Sequence, residues 1–209
     1  MSKVAVFQQV AGASVRAESP LHHLNLEQMA RQNGQGGVVL KEKKLLGHLV
    51  LRGSLANELF AKGVERVLGL ALPATPLQYQ RQGDVQVHWL APDEWLIIVP
   101  GGREYELELA LREAMGGHYS IVNTSGGQTV LELSGPDARK VLQKSTCYDV
   151  HPRNLPVGKT VTTTLAKTQM QLTRTAEDVY ELVIRRSFAD YAFLWLQDAS
   201  AEYGLTIKA

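Results

Sequence analysis

The chain repeats itself. Leu49-Val-Leu-Arg-Gly53-Ser-Leu-Ala-Asn57 is answered by Leu131-Glu-Leu-Ser-Gly135-Pro-Asp-Ala-Arg139, with Leu, Leu, Gly and Ala at the same four offsets. A second pair agrees: Ala91-Pro-Asp93-Glu-Trp95-Leu-Ile97 matches Ala176-Glu-Asp178-Val-Tyr180-Glu-Leu182, with a turn acid, an aromatic and an aliphatic residue in step. The first pair is 82 residues apart and the second 85, a difference of one short loop insertion. A repeat of this length restricts the chain to two similar units that share a core.

Within the first copy, Leu49 and Leu51 alternate with Val50 and Arg52 as a strand, and Gly53-Ser54 closes it and offers a hydroxyl to cap a helix. Ala56, Leu59, Phe60, Val64 and Val67 recur at helical spacing, which gives that helix one apolar stripe to lay on a sheet. Pro73 and Pro76 end it. Val85, Val87 and Trp89 then alternate into a strand that turns at 91–94 and returns through Trp95 to Val99. Leu107, Ala110, Leu111 and Ala114 mark the next helix and 119–122 a further strand, an order of βαββαβ.

The second copy follows with strand 128–133, a helix from Pro136 to Lys144, strands near 160–165, 168–173 and 179–185, and helix 187–200. Pro136 has no N–H to lose in a first turn, and Asp137 faces the positive end of the helix dipole. The expected fold is α+β: two ferredoxin-like βαββαβ repeats with mainly antiparallel sheets, at 41–125 and 126–209, preceded by an arm at 1–40 that is partly helical near Leu24 to Ala30.

A formal charge of +1 with evenly scattered Lys and Arg offers no basic stripe for nucleic acid. No apolar run approaches the ~20 residues of a membrane span, and the apolar run at the start is too short for a signal peptide, so a cytoplasmic protein is expected. Cys147, the single cysteine, has no disulfide partner and reads as a small, partly buried residue. The six histidines show no His-x-His or His-x-x-x-His ligand spacing, and His88 falls on the strand face opposite Val87 and Trp89, as an interface or solvent residue. No nucleophile elbow, Walker loop or dinucleotide fingerprint is present, and the glycines at 34, 36 and 37 follow no strand that would make them a phosphate cradle. Asp93-Glu94 sits in a tight turn, where acids are usually solvated.

Four segments carry a family resemblance: Ser19-Pro-Leu-His-His-Leu24, Leu46-Gly-His-Leu-Val-Leu-Arg52-Gly53, Leu90-Ala-Pro-Asp-Glu-Trp-Leu-Ile97 and Leu133-Ser-Gly-Pro-Asp-Ala138. From about residue 15 to the C-terminus the chain resembles the gamma subunits of heterotetrameric sarcosine oxidase, within the folate-binding aminomethyltransferase-like superfamily. The resemblance implies a subunit without a cofactor of its own, in a complex whose alpha, beta and delta subunits carry FAD, FMN, NAD, the tetrahydrofolate site and zinc. That complex demethylates sarcosine oxidatively to glycine, giving hydrogen peroxide and 5,10-methylenetetrahydrofolate. Enzymatic relatives use an acid just before the first strand of the repeat. Glu42 falls near that point, but Lys41, Lys43 and Lys44 around it look like a solvated charge run. The resemblance therefore implies no catalytic, cofactor or metal residue here. A free-standing folate-binding protein or aminomethyltransferase relative, with Glu42 or Asp93 beside a pterin, is the alternative.

Two segments are expected at a partner interface. Helix 187–200 carries Phe188, Tyr191, Ala192, Trp195, Leu196 and Ala199 on one face, while Phe193 and Leu194 lie off it. Exposing a phenyl of ~200 Å² would forgo roughly 5 kcal/mol, so Phe193 packs either on the other repeat or on another chain. The arm, with Leu21, His22 and Leu24 as contact candidates, loses about 1–2 kcal/mol of backbone entropy per ordered residue. Docking on a larger subunit, in an interface above ~2,000 Å², would compensate.

Overall fold

Both copies of the repeated motif close the same hydrogen bond: Gly53 N–H donates to the Asp93 carbonyl at 3.0 Å, and Gly135 N–H to the Asp178 carbonyl at 3.1 Å. Each bond ties the end of a unit's first strand to the turn of its hairpin. The same turn positions Trp95 and Tyr180 at matching sites, and both side chains are fully buried.

The computed structural model describes residues 17–32 and 34–209. The elements are α1 (Leu26–Arg31), β1 (Val38–Lys43), β2 (Gly47–Gly53), α2 (Glu58–Leu68), β3 (Tyr79–Gln82), β4 (Val85–Ala91), β5 (Glu94–Val99), α3 (Glu104–Ala114), β6 (Tyr119–Asn123), β7 (Gln128–Ser134), α4 (Ala138–Ser145), β8 (Thr160–Leu165), β9 (Thr168–Ala176), β10 (Val179–Arg185), α5 (Ala189–Ser200) and β11 (Leu205–Lys208). One sheet runs β3-β4-β5-β2-β6 and the other β11-β1-β7-β10-β9-β8. All pairings are antiparallel except β1 with β11.

The α+β duplication is present, with additions. Each unit has three strands between its helices; β3, Tyr-Gln-Arg-Gln, has no apolar alternation to reveal it. The expected boundary at residue 40 falls inside β1, and β1 joins the sheet of the second unit, not the first. There it pairs with β7 as β6 pairs with β2, and β11 lies outside it.

The two sheets stack face to face with the helices outside. One core lies between the second sheet and α4 and α5, and another between the first sheet and α2 and α3. A small apolar cluster of Leu96, Ile98, Val130 and Val183 joins the sheets. Asn57, rather than Ser54, caps α2, accepting from the amides of Leu59 and Phe60. Gly63 lets α2 press onto α3, since a Cβ there would stand 2.4 Å from the Ala114 carbonyl oxygen. Gly36 does the same where the chain enters β1, with a Cβ position 2.1 Å from the Gly204 carbonyl oxygen. No described helix is long and apolar enough to cross a membrane.

Candidate functional site

Stacking two sheets buries a layer that single-sheet alternation assigns to solvent. His88, expected at a surface, is fully buried there. Its Nδ1 lies 3.1 Å from Thr173 Oγ1 and 3.4 Å from Thr160 Oγ1, its Nε2 lies 3.4 Å from Gln86 Oε1, and the Tyr79 ring packs 4.9 Å away. Burial, with His48 nearby, pushes the His88 pKa down to about 3. Burial likewise lowers His48 to about 4, against smaller opposing effects of the Leu46 backbone and Glu104. The Tyr79 hydroxyl is pushed up to about 12, first by burial and then by the charge of Glu181. Lys43 bridges Glu181 and Glu132, the latter at 2.9 Å; burial opposes its charge, but the two carboxylates outweigh it and hold the ammonium above its ordinary range.

Glu42 corrects the reading of 41–44 as a solvated run. In β1 the lysines at 41 and 43 share one face and Glu42 takes the other, where it is 3% exposed. Its carboxylate accepts hydrogen bonds from Ser19 Oγ at 2.7 Å and Thr129 Oγ1 at 2.9 Å. Ser19 belongs to the arm, so this buried acid clips the arm to the second sheet.

The expected contact residues divide. Leu21 and Phe193 are buried in the chain's own core, which removes both side chains from any interface. Leu24 is half-buried against that core. His22 is exposed, 3.4 Å from Glu18, and Leu194 is 50% exposed. His23 joins the arm to α5 through Asp190 at 3.0 Å. The arm is thus held by its own chain from Ser19 to Leu26; the readings at Phe7, Val10 and Val15 lie outside the described residues. Asp93 is exposed and paired with Arg52 at 2.8 Å. Cys147 is exposed rather than partly buried, 3.5 Å from Thr164 Oγ1. Among the described residues no group of three His, Cys, Asp or Glu side chains could hold a metal ion.

The large concave feature is a groove of about 1960 Å³ beside β6 and α3, with Leu45, Tyr105, Leu109 and Val122 along it. Among the described residues, eight large apolar side chains are exposed, and these four gather in this one place. The buried His48, His88, Tyr79 and Glu181 and the half-buried Lys43 of the sheet–sheet layer do not line it. Sequence periodicity missed the groove because its residues come from a turn, a helix flank and a strand edge, each unremarkable alone.

The model of the sarcosine oxidase, gamma subunit family matches residues 52–202. The sarcosine oxidase subunit gamma of Corynebacterium sp. (strain P-1) is 37% identical over 203 residues, which cover 93% of this chain and 94% of that one. A chain of the heterotetrameric sarcosine oxidase from Corynebacterium sp. U-96, solved with pyrrole 2-carboxylate, superposes with a TM-score of 0.81 at 31% identity, over 90% of this chain and 96% of the other. The glycine cleavage system aminomethyltransferase T from Bartonella henselae shares the fold, with a TM-score of 0.59 at 16% identity over 90% of this chain and 51% of that one.

Proposed function

The chain belongs to the sarcosine oxidase gamma subunit family, and from that premise we propose that it serves its oxidoreductase complex as a structural subunit carrying no catalytic residue. One observation carries the reading: Glu42, Lys43 and His88, three ionisable side chains at the sheets, are engaged within the fold. Glu42 is held by two hydroxyls, Lys43 by two carboxylates and His88 by threonine hydroxyls, and none of them lines the groove beside β6 and α3. A general acid or base must reach the proton that it transfers.

On this reading the complex converts sarcosine, tetrahydrofolate and O2 to glycine, 5,10-methylenetetrahydrofolate and hydrogen peroxide, in the cytoplasm. The methyl carbon passes to the folate, and the two hydrogens released go to O2. Alpha, beta and delta subunits hold FAD, FMN, NAD, the folate and zinc. This chain supplies surface that keeps them assembled.

Titration of the purified chain with a reduced folate tests the reading against a free-standing folate-binding protein. The structural reading expects no saturable binding by the chain alone, together with its recovery in a yellow complex when expressed with its companions. Micromolar folate binding by the isolated chain overturns it.

A further inference from the structure

We infer that the outer edge of β6, which no strand among the described residues covers, receives with the groove beside α3 an extended strand from a partner subunit, which adds a sixth strand to the first sheet. The inference rests on the structural-subunit reading and says which surface that role uses.

The backbone register fixes what the edge offers. β2 gives alternate residues to each neighbour: Gly53 N–H bonds the Asp93 carbonyl on the β5 side, while the His48 carbonyl accepts from Thr124 N–H on the β6 side. With Val50 opposite Val122 and Arg52 opposite Ser120, the main-chain groups of Ser120 and Val122 face β2, and those of Tyr119, Ile121 and Asn123 face outward. Arg112 Nη2 takes the outward carbonyl of Ile121 at 2.9 Å, and no acceptor among the described residues meets the three outward amides. An edge with outward groups and apolar flanks is a template for strand addition.

The duplication shows the same position filled elsewhere in the molecule. In the second unit, β1 stands where β6 stands in the first, antiparallel to the unit's leading strand, and β11 lies on its far side. The corresponding place beyond β6 holds no strand among the described residues.

The flanks specify the occupant. Successive side chains of an added strand fall on opposite faces, one row over Val122 and the other over Tyr105 and Leu109 of α3. Both rows call for aliphatic residues. The groove carries Glu104, Glu108 and Glu113 against Arg112 and Arg186, and Arg112 is already held by Glu108 at 2.7 Å and by the Ile121 carbonyl. Glu104 and Glu113 are left against Arg186, an excess of one negative charge, so the strand that fits carries aliphatic residues in both rows and a single lysine or arginine on the α3 side.

The test compares amide hydrogen exchange in the full chain alone and in the complex expressed with its companion subunits. Tyr119, Ile121 and Asn123 amides are expected to slow by at least about tenfold on assembly, whereas Ser120 and Val122, already bonded to β2, change little. Two variants accompany it: Asn123→Pro, which removes an outward donor and the side-chain acceptor of Ser125 N–H but leaves the Ser120 and Val122 donors to β2 in place, and Leu109→Lys, on an exposed helix flank where misfolding is not expected. Each should lower recovery of companion subunits by about tenfold or more in a tagged pull-down. Unchanged exchange and wild-type recovery in both variants overturn the inference. So does protection of the three amides in the chain alone, which would mean that its own N-terminal residues or a second copy cover the edge. Failure of the wild-type chain to recover companions would instead count against the structural-subunit reading itself.

Discussion

Lowering the pH from 7.5 to 5 should remove about 4 kcal/mol from the stability of the folded chain, through two histidines alone. His48 and His88 are buried between the sheets with pKa values of about 4 and about 3, against about 6.5 when unfolded. A histidine depressed in this way is neutral in the native state and charges on unfolding, so the unfolded chain binds more protons and stability rises with pH. The contribution is complete above pH 6.5, falls as the pH drops through that value, and is exhausted only below the folded values near 4 and 3. At pH 5 an unfolded histidine gains about 1.5 pKa units' worth of proton binding that the native one lacks, or about 2 kcal/mol for each site at 1.36 kcal/mol per unit. Urea unfolding of the full chain at half-unit steps between pH 7.5 and 5 measures this directly. His88→Gln should roughly halve the slope in that window whatever its effect on stability at pH 7.5. Equal stability at pH 7.5 and 5, or a slope that His88→Gln leaves unchanged, refutes the argument that these imidazoles are held neutral by burial.

Three further outcomes follow from contacts described above. Glu42→Ala strands the hydroxyls of Ser19 and Thr129 and should cost about 3 kcal/mol in chemical denaturation, with proteolysis between Ser19 and Leu26 accelerating as the arm detaches. Lys43→Met leaves Glu132 and Glu181 facing each other without their shared cation and should destabilise by about 3–5 kcal/mol at pH 7.5 in chemical denaturation. Gly63→Ala drives a methyl group into the Ala114 carbonyl and should cost about 1–3 kcal/mol, whereas Gly34→Ala, with nothing within 4 Å, should be near neutral; thermal melts separate the two.

The duplication was legible because its signals are local. A strand ending in glycine, a hairpin acid and an aromatic two residues later recur in order, and the structure gives both copies one hydrogen bond and one buried ring. What the sequence could not show depends on how the sheets meet. His88 reads as an exposed alternate of Val87 and Trp89 until a second sheet covers that face with Thr160 and Thr173. Glu42 reads as one charge among lysines until strand geometry turns it away from Lys41 and Lys43 toward the arm. Phe193 posed a choice between two coverings, and the chain's own core provides one. The β6 groove had no periodic signature, since its apolar residues become neighbours only when α3, β6 and the turn at Leu45 are assembled.

On the proposed reading, this subunit contributes shape to its complex and no reacting group. Sarcosine-dependent hydrogen peroxide formation by the purified complex, carrying Glu42→Gln and Asp93→Asn in this chain, tests it most directly. The expected kcat lies within about twofold of that of the unsubstituted complex, less than about 0.5 kcal/mol in barrier. A complex that assembles fully and yet turns over a hundredfold more slowly, about 2.7 kcal/mol, would contradict it.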